Sequence, residues 1–279
     1  MKKKKSPLIF KIVECIILCA LFLMFVFPFY WMLISSLKTT MEAVSVEMVW
    51  FPEKLMWSNY VDAWNVANFV QYGKNSIVLS IACVISCLCC SVPCAYAFAR
   101  MEFRFKKPLF AIVLSSMMIP AQCLFLPLFL MFSKMGWLNT YRAMILVFTY
   151  SGSNIFFLRN AFKQVSNEVM EAARMDGASE LSVMFKIALP MVKPVIVTTA
   201  LFCFLGRWND YFWTMSLTTN DKLRTLPQAV SNITSVTDGF VPRWDLTMAG
   251  TTMLMAPTLI LYIFANKKIK NASTYSGVK

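Results

Sequence analysis

Residues 15–37 read CIILCALFLMFVFPFYWMLISSL and contain no Asp, Glu, Lys or Arg. A helix needs about 20 mostly apolar residues to cross the hydrocarbon core of a bilayer, so this stretch is long enough for one span. Five more stretches follow, of which the fifth is long enough only if Arg207 and Asp210 are included. The predicted spans are 15–37, 75–99, 108–133, 143–158, 194 to about 217, and 246–266. The sequence therefore predicts an all-α polytopic membrane protein with six transmembrane helices.

Charged residues are scarce in this chain. Of its 279 residues, 58% are apolar and 15% are charged, whereas an average soluble domain has roughly 25% charged residues. This composition excludes a soluble globular protein. The formal net charge is +13, but the cations flank apolar runs and do not form the basic, aromatic surface that binds nucleic acid. We therefore expect the lipid bilayer as a partner, and no nucleic acid.

The cations are distributed unevenly between the two sides of the predicted bundle. Six spans place both termini on one side, where two thirds of the 27 Lys and Arg residues lie. Because cytoplasmic loops carry the excess of Lys and Arg, both termini are predicted to be cytoplasmic. A cleaved signal peptide is the alternative for the Lys-rich start, but the apolar run is too long and lacks a small-residue cleavage site. The predicted parts are a cytoplasmic N-terminus (1–11), a transmembrane domain (12–266) with a cytoplasmic loop (160–193) and an extracytoplasmic loop (218–245), and a cytoplasmic tail (267–279).

The residue types that usually perform catalysis or bind metals are poorly represented. The chain has no His, and its nine Cys residues all lie inside predicted spans. Neither a disulfide framework nor a mixed Cys and His metal site is expected. Cys83, Cys87, Cys90 and Cys94 share one face of the second span, where small side chains favour close helix packing. With no Gly-rich phosphate loop either, we expect no catalytic residue, no metal and no cofactor in this chain, and no enzyme.

The loop 160–193 has the pattern of two short helices. The first covers about Asn167–Met175, with Val169, Ala172 and Ala173 on one face. The second begins at about Ser179 and presents apolar residues at helical spacing, namely Leu181, Met184, Phe185 and Ala188. From periodicity alone, this is an ordinary amphipathic loop that rests on the membrane surface or on its own bundle.

Turn residues separate and end these helices. Gly177 follows Asp176 and is able to adopt the positive φ that a sharp reversal needs. Pro190 is predicted to close the second helix with Leu189 as its boundary, because the residue before a Pro is biased out of the helical region.

One string in this loop resembles a known family signature. Glu171-Ala172-Ala173 is followed four positions later by Gly177, and then by Ile187-Ala188-Leu189-Pro190. This resembles the EAA signature of the permease subunits of bacterial ABC importers. Further strings are similar to carbohydrate-importer permeases of the maltose permease G type, namely Ser35-Ser36-Leu37-Lys38, Asn59-Tyr60, Asn75-Ser76, Ile119-Pro120-Ala121-Gln122, Gly136-Trp137-Leu138-Asn139-Thr140, Asp176-Gly177-Ala178-Ser179 and Trp208-Asn209-Asp210. The family usually has a Pro where Val165 to Asn167 stand, and this chain lacks it.

The resemblance implies a type I ABC importer permease fold in the bacterial cytoplasmic membrane, which moves a sugar or oligosaccharide. It implies a heterodimer with a second, homologous permease, an ABC ATPase dimer that binds ATP and Mg, and an extracytoplasmic solute-binding protein. The first loop helix would be a cytoplasmic coupling helix that docks on the ATPase. The residues of this coupling site would be Glu171, Ala172, Ala173, Asp176, Gly177, Ile187, Leu189 and Pro190.

Polar residues inside the spans are candidates for the substrate pathway, because ionisable groups in hydrocarbon are costly. Arg207 and Asp210 are three residues apart and are expected to pair on one helical face or to lie at the interface. Trp208 and Asn209 lie beside them, and Gln122 follows Pro120 in the third span.

Three alternative functions stay open on the residues alone. An ABC importer for a solute other than a sugar has the same signature. An ion-coupled secondary transporter needs intramembrane carboxylates, for which Glu14 and Asp210 are the candidates. A membrane-embedded enzyme is disfavoured because the chain has no His and no acidic cluster.

Overall fold

The computed structural model describes residues 8–275 of the chain, with side chains from 9 to 263. Residues 1–7 of the predicted N-terminus (1–11) and 276–279 of the predicted tail (267–279) fall outside the described residues, whereas 267–275 continue the last helix. The chain forms two compact units, one from residues 1–68 and 230–256 and the other from 69–229 and 257–279. The α-helices are α1 (Leu8–Ser35), α2 (Thr40–Val44), α3 (Ser58–Val66), α4 (Phe69–Arg100), α5 (Lys106–Ser116), α6 (Phe125–Lys134), α7 (Tyr141–Thr149), α8 (Gly152–Lys163), α9 (Asn167–Met175), α10 (Glu180–Ser182), α11 (Leu189–Met191), α12 (Lys193–Trp208), α13 (Phe212–Leu217), α14 (Leu226–Ile233) and α15 (Trp244–Tyr275).

The first unit is organised around polar contacts that follow α1. The amide of Asn59 in α3 donates to the carbonyl oxygens of Ser36 at 3.0 Å and Lys38 at 2.8 Å, and the Ser36 and Tyr60 hydroxyls lie 2.7 Å apart. These bonds tie the turn after α1 to α3. A two-stranded antiparallel hairpin, β1 (Thr237–Asp238) with β2 (Val241–Pro242), precedes α15.

The second unit is built around α4, which packs against α7, α8 and α12. Its apolar core joins residues from α4, α5, α8 and the segment after α8, including Tyr96, Leu158, Phe162 and Met184. A smaller core forms around Phe132 and Trp213. Small side chains on α4, including Cys83, Cys87 and Ser91, are buried and permit close approach of its neighbours.

Within residues 8–275, three helices are long and apolar enough to cross a membrane, and the number rises to five if each of two bent pairs is one span. The three helices are Ile9–Ser35, Phe69–Arg100 and Trp244–Ile263. The most apolar 18 residues of Ile9–Ser35 are all unburied. Their side chains therefore require lipid or another protein around them. The predicted second span begins earlier than expected, at Phe69.

The predicted third, fourth and fifth spans are not straight helices. Within the third, Lys106–Ser116 and Ala121–Lys134 meet at an angle of 99°. The fifth, 194 to about 217, is divided into α12 and α13 at residues 209–211. Glu180–Met191 meets Lys193–Trp208 at 83°, where the loop 160–193 was predicted to end. The fourth predicted span, 143–158, is divided into α7 and α8 at Tyr150 and Ser151. The Ser151 hydroxyl accepts a hydrogen bond from the Asn154 amide at 3.3 Å and caps the new helix. The predicted span 143–158 thus contains the start of a second helix, capped by Ser151.

Candidate functional site

The first helix of the segment 167–191 ends in a turn that favours glycine. α9 covers Asn167–Met175, as predicted, and Gly177 has the expected positive φ, 82°. The Gly177 amide donates to the Arg174 carbonyl at 3.0 Å, and the Ala178 amide donates to the Ala173 carbonyl at 3.0 Å. This pair of bonds is a Schellman motif, which satisfies the last carbonyls of a helix and requires a left-handed residue.

An ion pair braces the same turn. Arg174 Nε donates to Glu180 Oε1 at 2.6 Å, and the Tyr96 hydroxyl donates to Glu180 Oε2 at 3.0 Å. The hydrogen bond to Glu180 raises the pKa of Arg174 above its ordinary value. Because Tyr96 belongs to α4, this carboxylate connects the end of α9 to the central helix of the unit.

Arg100, the last residue of α4, holds the start of α9. Its Nε donates to the Phe162 carbonyl at 2.8 Å, its Nη2 to the Val165 carbonyl and its Nη1 to Asn167 Oδ1. The last carbonyls of a helix lack partners within it, and a cation there also opposes the negative end of the helix dipole. Tyr96 and Arg100 are four residues apart and share one helical face, so one face of α4 fastens both ends of α9.

One side of the segment packs inward and the other is open. Met170, Val183, Met184 and Ala188 are buried. The face of α9 that carries Val169 and Ala172 is exposed, and Met170 is the residue of this helix that packs inward. The second predicted face divides in the same way, since Leu181 and Phe185 are exposed. Of the signature residues, Glu171, Ala172, Asp176, Gly177 and Pro190 are exposed, and Ala173, Ile187 and Leu189 are half-buried.

The predicted end of the second helix at Leu189 was wrong. α10 continues through a π-helical stretch, Val183–Ala188, into α11, and the chain bends only at Val192. In a regular helix, Pro190 would break an i to i−4 backbone hydrogen bond, because Pro has no N–H. The π-helical stretch before it already departs from this hydrogen-bond pattern, so Pro190 costs less stability here. Pro190 is therefore accommodated where the sequence predicted a stop.

The charged pair of the fifth predicted span is buried. Arg207 Nη1 donates to Asp210 Oδ2 at 2.5 Å and to Thr214 Oγ1 at 2.9 Å. Asp210 also accepts the backbone amides of Trp213 at 3.2 Å and Thr214 at 3.1 Å, which caps α13. The Arg207 guanidinium lies over the Phe148 ring at 5.1 Å. Arg207 and Asp210 therefore pair, as expected, but not on one helical face, because Arg207 belongs to α12 and Asp210 lies in the break between α12 and α13.

The other predicted pathway residues do not converge on this pair. Gln122 is exposed in a 3₁₀ turn, Ala121–Leu124, at the bend between α5 and α6. Asn209 is exposed and donates to the Leu205 carbonyl at 3.0 Å, whereas Trp208 is buried and stacks on Phe204 with ring centroids 5.6 Å apart. The structure therefore distributes these side chains over two elements.

A cavity of about 570 Å³ lies in the second unit, and its lining includes Gly206 and Trp213, which are near the charged pair in the sequence. It is lined by side chains from α4, α7, α8 and α12, including Cys87, Ser153, Asn154 and Cys203. The Asn154 amide donates to the sulfurs of Cys87 at 3.2 Å and Cys203 at 3.0 Å. All nine cysteines are free thiols, and among the described residues no three His, Cys, Asp or Glu side chains are arranged to hold a metal ion.

Sequence reasoning did not identify the polar anchors, which join distant positions. Asn139 has φ of 58°, and its side-chain oxygen accepts the Thr219 amide at 2.7 Å and the Asn220 amide at 3.1 Å. Asn75 Nδ2 donates to the carbonyls of Lys222 and Arg224, each at 2.8 Å. Both Asn residues belong to the strings that resemble carbohydrate-importer permeases, but a string carries no information about the partner.

Residues 91–270 match the family of binding-protein-dependent transport system inner membrane components. The match extends from the second half of α4 into α15 and includes the whole segment 167–191.

Relatives are similar over nearly the full chain. The inner membrane ABC transporter permease protein YcjP of Escherichia coli is 29% identical over 93% of this chain and 94% of its own length. The arabinooligosaccharides transport system permease protein AraQ of Halalkalibacterium halodurans is 29% identical over 100% of both chains. A solved structure of a bacterial ABC transporter involved in the import of the acidic polysaccharide alginate has a TM-score of 0.85 at 26% identity, and the similarity covers 96% of this chain and 99% of that one.

Proposed function

Because the chain belongs to the family of binding-protein-dependent transport system inner membrane components, we propose that it is the permease subunit of an ATP-driven importer for a sugar or oligosaccharide. Its long apolar helices and the name of its full-length relative AraQ, an arabinooligosaccharides transport system permease protein, support this. Membership of a binding-protein-dependent family favours the importer over an ion-coupled transporter.

The proposed topology has six spans. They are α1, α4, the pair α5 and α6, the pair α7 and α8, α12 continued by α13, and α15. Non-helical backbone at membrane depth is tolerated where it is buried in protein or lines a cavity, and the cavity of the second unit borders the breaks after α5 and α7. Both termini are then cytoplasmic, and the segment 167–191 faces the cytoplasm.

The observation that carries the proposal is the exposed apolar side of this segment. Met175 is 87% exposed, and Leu181 and Phe185 are exposed beside it, which is unusual for side chains of this size outside a membrane or an interface. α9 has nine residues, hence a length of about 14 Å, enough to dock in a groove as a helical ligand. We propose that this is the coupling helix and that the cytoplasmic ATPase binds it.

The roles of the signature residues follow from their positions. Exposed Glu171 offers a carboxylate to a cation of the ATPase, and the small side chain of Ala172 permits close approach. Gly177 sets the angle between the two helices. Ala173, Asp176, Ile187, Leu189 and Pro190 complete the proposed coupling site by supporting the turn and the connection to α12.

The partners are a second homologous permease, an ABC ATPase dimer that binds ATP and Mg, and an extracytoplasmic solute-binding protein. The substrate route is proposed to pass the exposed amides of Gln122 and Asn209, with Trp208 and Asp210 as neighbouring members of the pathway. The buried pair of Arg207 and Asp210 presents no net charge to a neutral sugar.

Site-specific photo-crosslinking of the assembled importer tests the proposal. A photo-reactive amino acid in place of Met175 is expected to crosslink to the ATPase, and the same amino acid in place of Phe240 in the hairpin is not. Phe240 is a matched control because it is a fully exposed apolar side chain on the opposite side of the proposed topology. A crosslink from position 240 to the ATPase, or none from 175, would overturn the assignment.

A further inference from the structure

A second cavity, of about 700 Å³, lies where the loop after α4 meets α5 and α8. Its lining combines three cations with aromatic side chains, namely Phe103, Phe105, Lys106, Lys107, Phe110 and Arg159. None of these residues belongs to the coupling segment or to the Arg207 and Asp210 pair. The cavity is therefore separate from the sites described above.

The charges in this cavity do not balance. Lys106 Nζ is satisfied by Glu102 Oε1 at 2.8 Å and the Met101 carbonyl at 2.7 Å, and Glu102 is the only acidic side chain of the lining. Lys107 and Arg159 remain, and within residues 9–263 neither forms an ion pair. The site thus presents two uncompensated cations.

Arg159 is held in place before any ligand arrives. Its Nε donates to the Phe98 carbonyl at 3.1 Å, and its guanidinium lies over the Phe110 ring at 3.9 Å. A guanidinium stacked on a ring keeps its remaining N–H groups in a fixed plane, which suits two-point recognition of phosphate oxygens. No rotamer search is needed on binding, which lowers the entropic cost.

The cavity lies at the ends of two candidate membrane spans. The apolar helix Phe69–Arg100 ends beside it, and the bent pair of helices that starts at Lys106 begins there. Phe105 and Leu114 are exposed, so an apolar wall continues from the cations along α5. A ligand that suits this site has an anionic head and an apolar body.

We propose that this cavity binds the phosphodiester of an anionic phospholipid between Lys107 and Arg159, with the acyl chains against Phe105, Phe110 and Leu114. Basic pockets between membrane helices at the bilayer surface are known to hold such headgroups. The assignment does not rest on the transported solute.

The test uses the full-length chain in vesicles of equal parts phosphatidylcholine and phosphatidylglycerol, from which the protein is extracted and its retained lipids are counted by native mass spectrometry. The double variant Lys107→Gln with Arg159→Gln is expected to retain roughly thirtyfold less phosphatidylglycerol, because each basic residue near the surface contributes about 1 kcal/mol to anionic lipid binding. Arg159→Lys keeps the charge and should retain an intermediate amount. Lys163→Gln, an exposed cation outside the cavity, is the control and should retain the wild-type amount.

The experiment distinguishes a bound phospholipid from free inorganic phosphate and from a protein partner. If inorganic phosphate displaces the retained lipid at millimolar concentration as effectively as phosphatidylglycerol does, the site is a free-anion site and the proposal fails. Equal retention by the double variant and Lys163→Gln overturns it as well. If native mass spectrometry shows a co-purified protein bound to the chain and no retained lipid, the cavity belongs to that partner and the proposal fails.

Discussion

Arg100 and Phe162 are 62 positions apart, yet the Arg100 Nε lies 2.8 Å from the Phe162 carbonyl oxygen. The same guanidinium reaches the Val165 carbonyl and the Asn167 side chain. One side chain at the end of α4 therefore fixes the end of α8, the connection and the start of α9. In this chain Val165 to Asn167 contain no Pro to stiffen the connection, and the guanidinium supplies the constraint.

Arg100→Gln is expected to reduce transport more than ATP hydrolysis. Each lost hydrogen bond to a charged group is worth about 1.5–3 kcal/mol, so α9 becomes free to move without displacing α4. We expect at least a fivefold fall in substrate uptake per ATP hydrolysed, measured in proteoliposomes of the assembled importer. Lys163→Gln, exposed at the end of α8, should leave the ratio unchanged. An unchanged ratio in Arg100→Gln would show that the start of α9 is held by other contacts.

The loss of coupling in Gly177 variants should increase with the energy that the new residue needs to adopt a left-handed backbone. No atom lies within 4 Å of a Cβ added at Gly177, so substitution meets no steric clash and the effect is conformational. Gly177→Asn should be tolerated best and Gly177→Val worst, with a strain of about 1–2 kcal/mol for an ordinary residue. Uptake per ATP should fall in the order Gly, Asn, Ala, Val. Gly206→Ala is the control, because this helical glycine also has open space around it and Ala favours a helix. The reverse order would exclude backbone strain as the cause.

The sequence predicts those parts of the fold that local chemistry determines. The bounds of α9, the turn at Gly177 and the long helices α1 and α4 follow from periodicity, a Gly at the turn and uninterrupted apolar runs. The pairing of Arg207 with Asp210 follows from their spacing, although their burial does not, because burial depends on which helices pack around α12.

The remaining features depend on interactions that no local pattern contains. The bend before Pro120 and the break at Tyr150 lie in runs whose composition also suits a straight span. The links of Arg100 to Phe162 and of Tyr96 to Glu180 join positions 62 and 84 residues apart. Spacing arguments reach only one or two helical turns, so these contacts emerge only when α4, α8 and α10 are packed together.

Removal of one member of the buried pair should destabilise the protein strongly. The side chains of Arg207 and Asp210 are 1% and 7% exposed, and within the described residues Nε and Nη2 of Arg207 have no hydrogen-bond partner. Asp210→Leu leaves a buried charge without compensation, at a cost of about 3–5 kcal/mol. The double variant Arg207→Leu with Asp210→Leu should unfold at a higher temperature than Asp210→Leu alone, as measured by thermal denaturation in lipid nanodiscs. A double variant less stable than either single one would contradict the pairing argument.

The cap of α2 predicts an acid-sensitive contribution to stability. Burial of Glu42 opposes its ionisation, but hydrogen bonds from the Thr39 amide at 2.8 Å and the Glu53 amide at 3.0 Å outweigh it and lower the pKa of Glu42. A carboxyl whose pKa is lower in the folded state contributes stability above its unfolded value of 4.5, and this contribution is lost as pH falls below it. Glu42→Gln should flatten the pH dependence of the unfolding temperature below this value. A slope equal to wild type would exclude Glu42 as a source of acid sensitivity.

Gly152 is a point of close approach between α8 and α5. A Cβ at this position would lie 2.9 Å from Met117 Cγ and 3.0 Å from the Val113 carbonyl oxygen, and the carbonyl belongs to backbone that does not yield easily. Gly152→Ala should therefore destabilise the protein by about 1–3 kcal/mol through overpacking and lower its unfolding temperature. Gly73→Ala is the matched control, because the new Cβ meets only Leu226 Cδ1 at an ordinary 3.8 Å. Equal unfolding temperatures for the two variants would mean that α8 moves away from α5 at little cost, and the break at Tyr150 would then be a flexible joint.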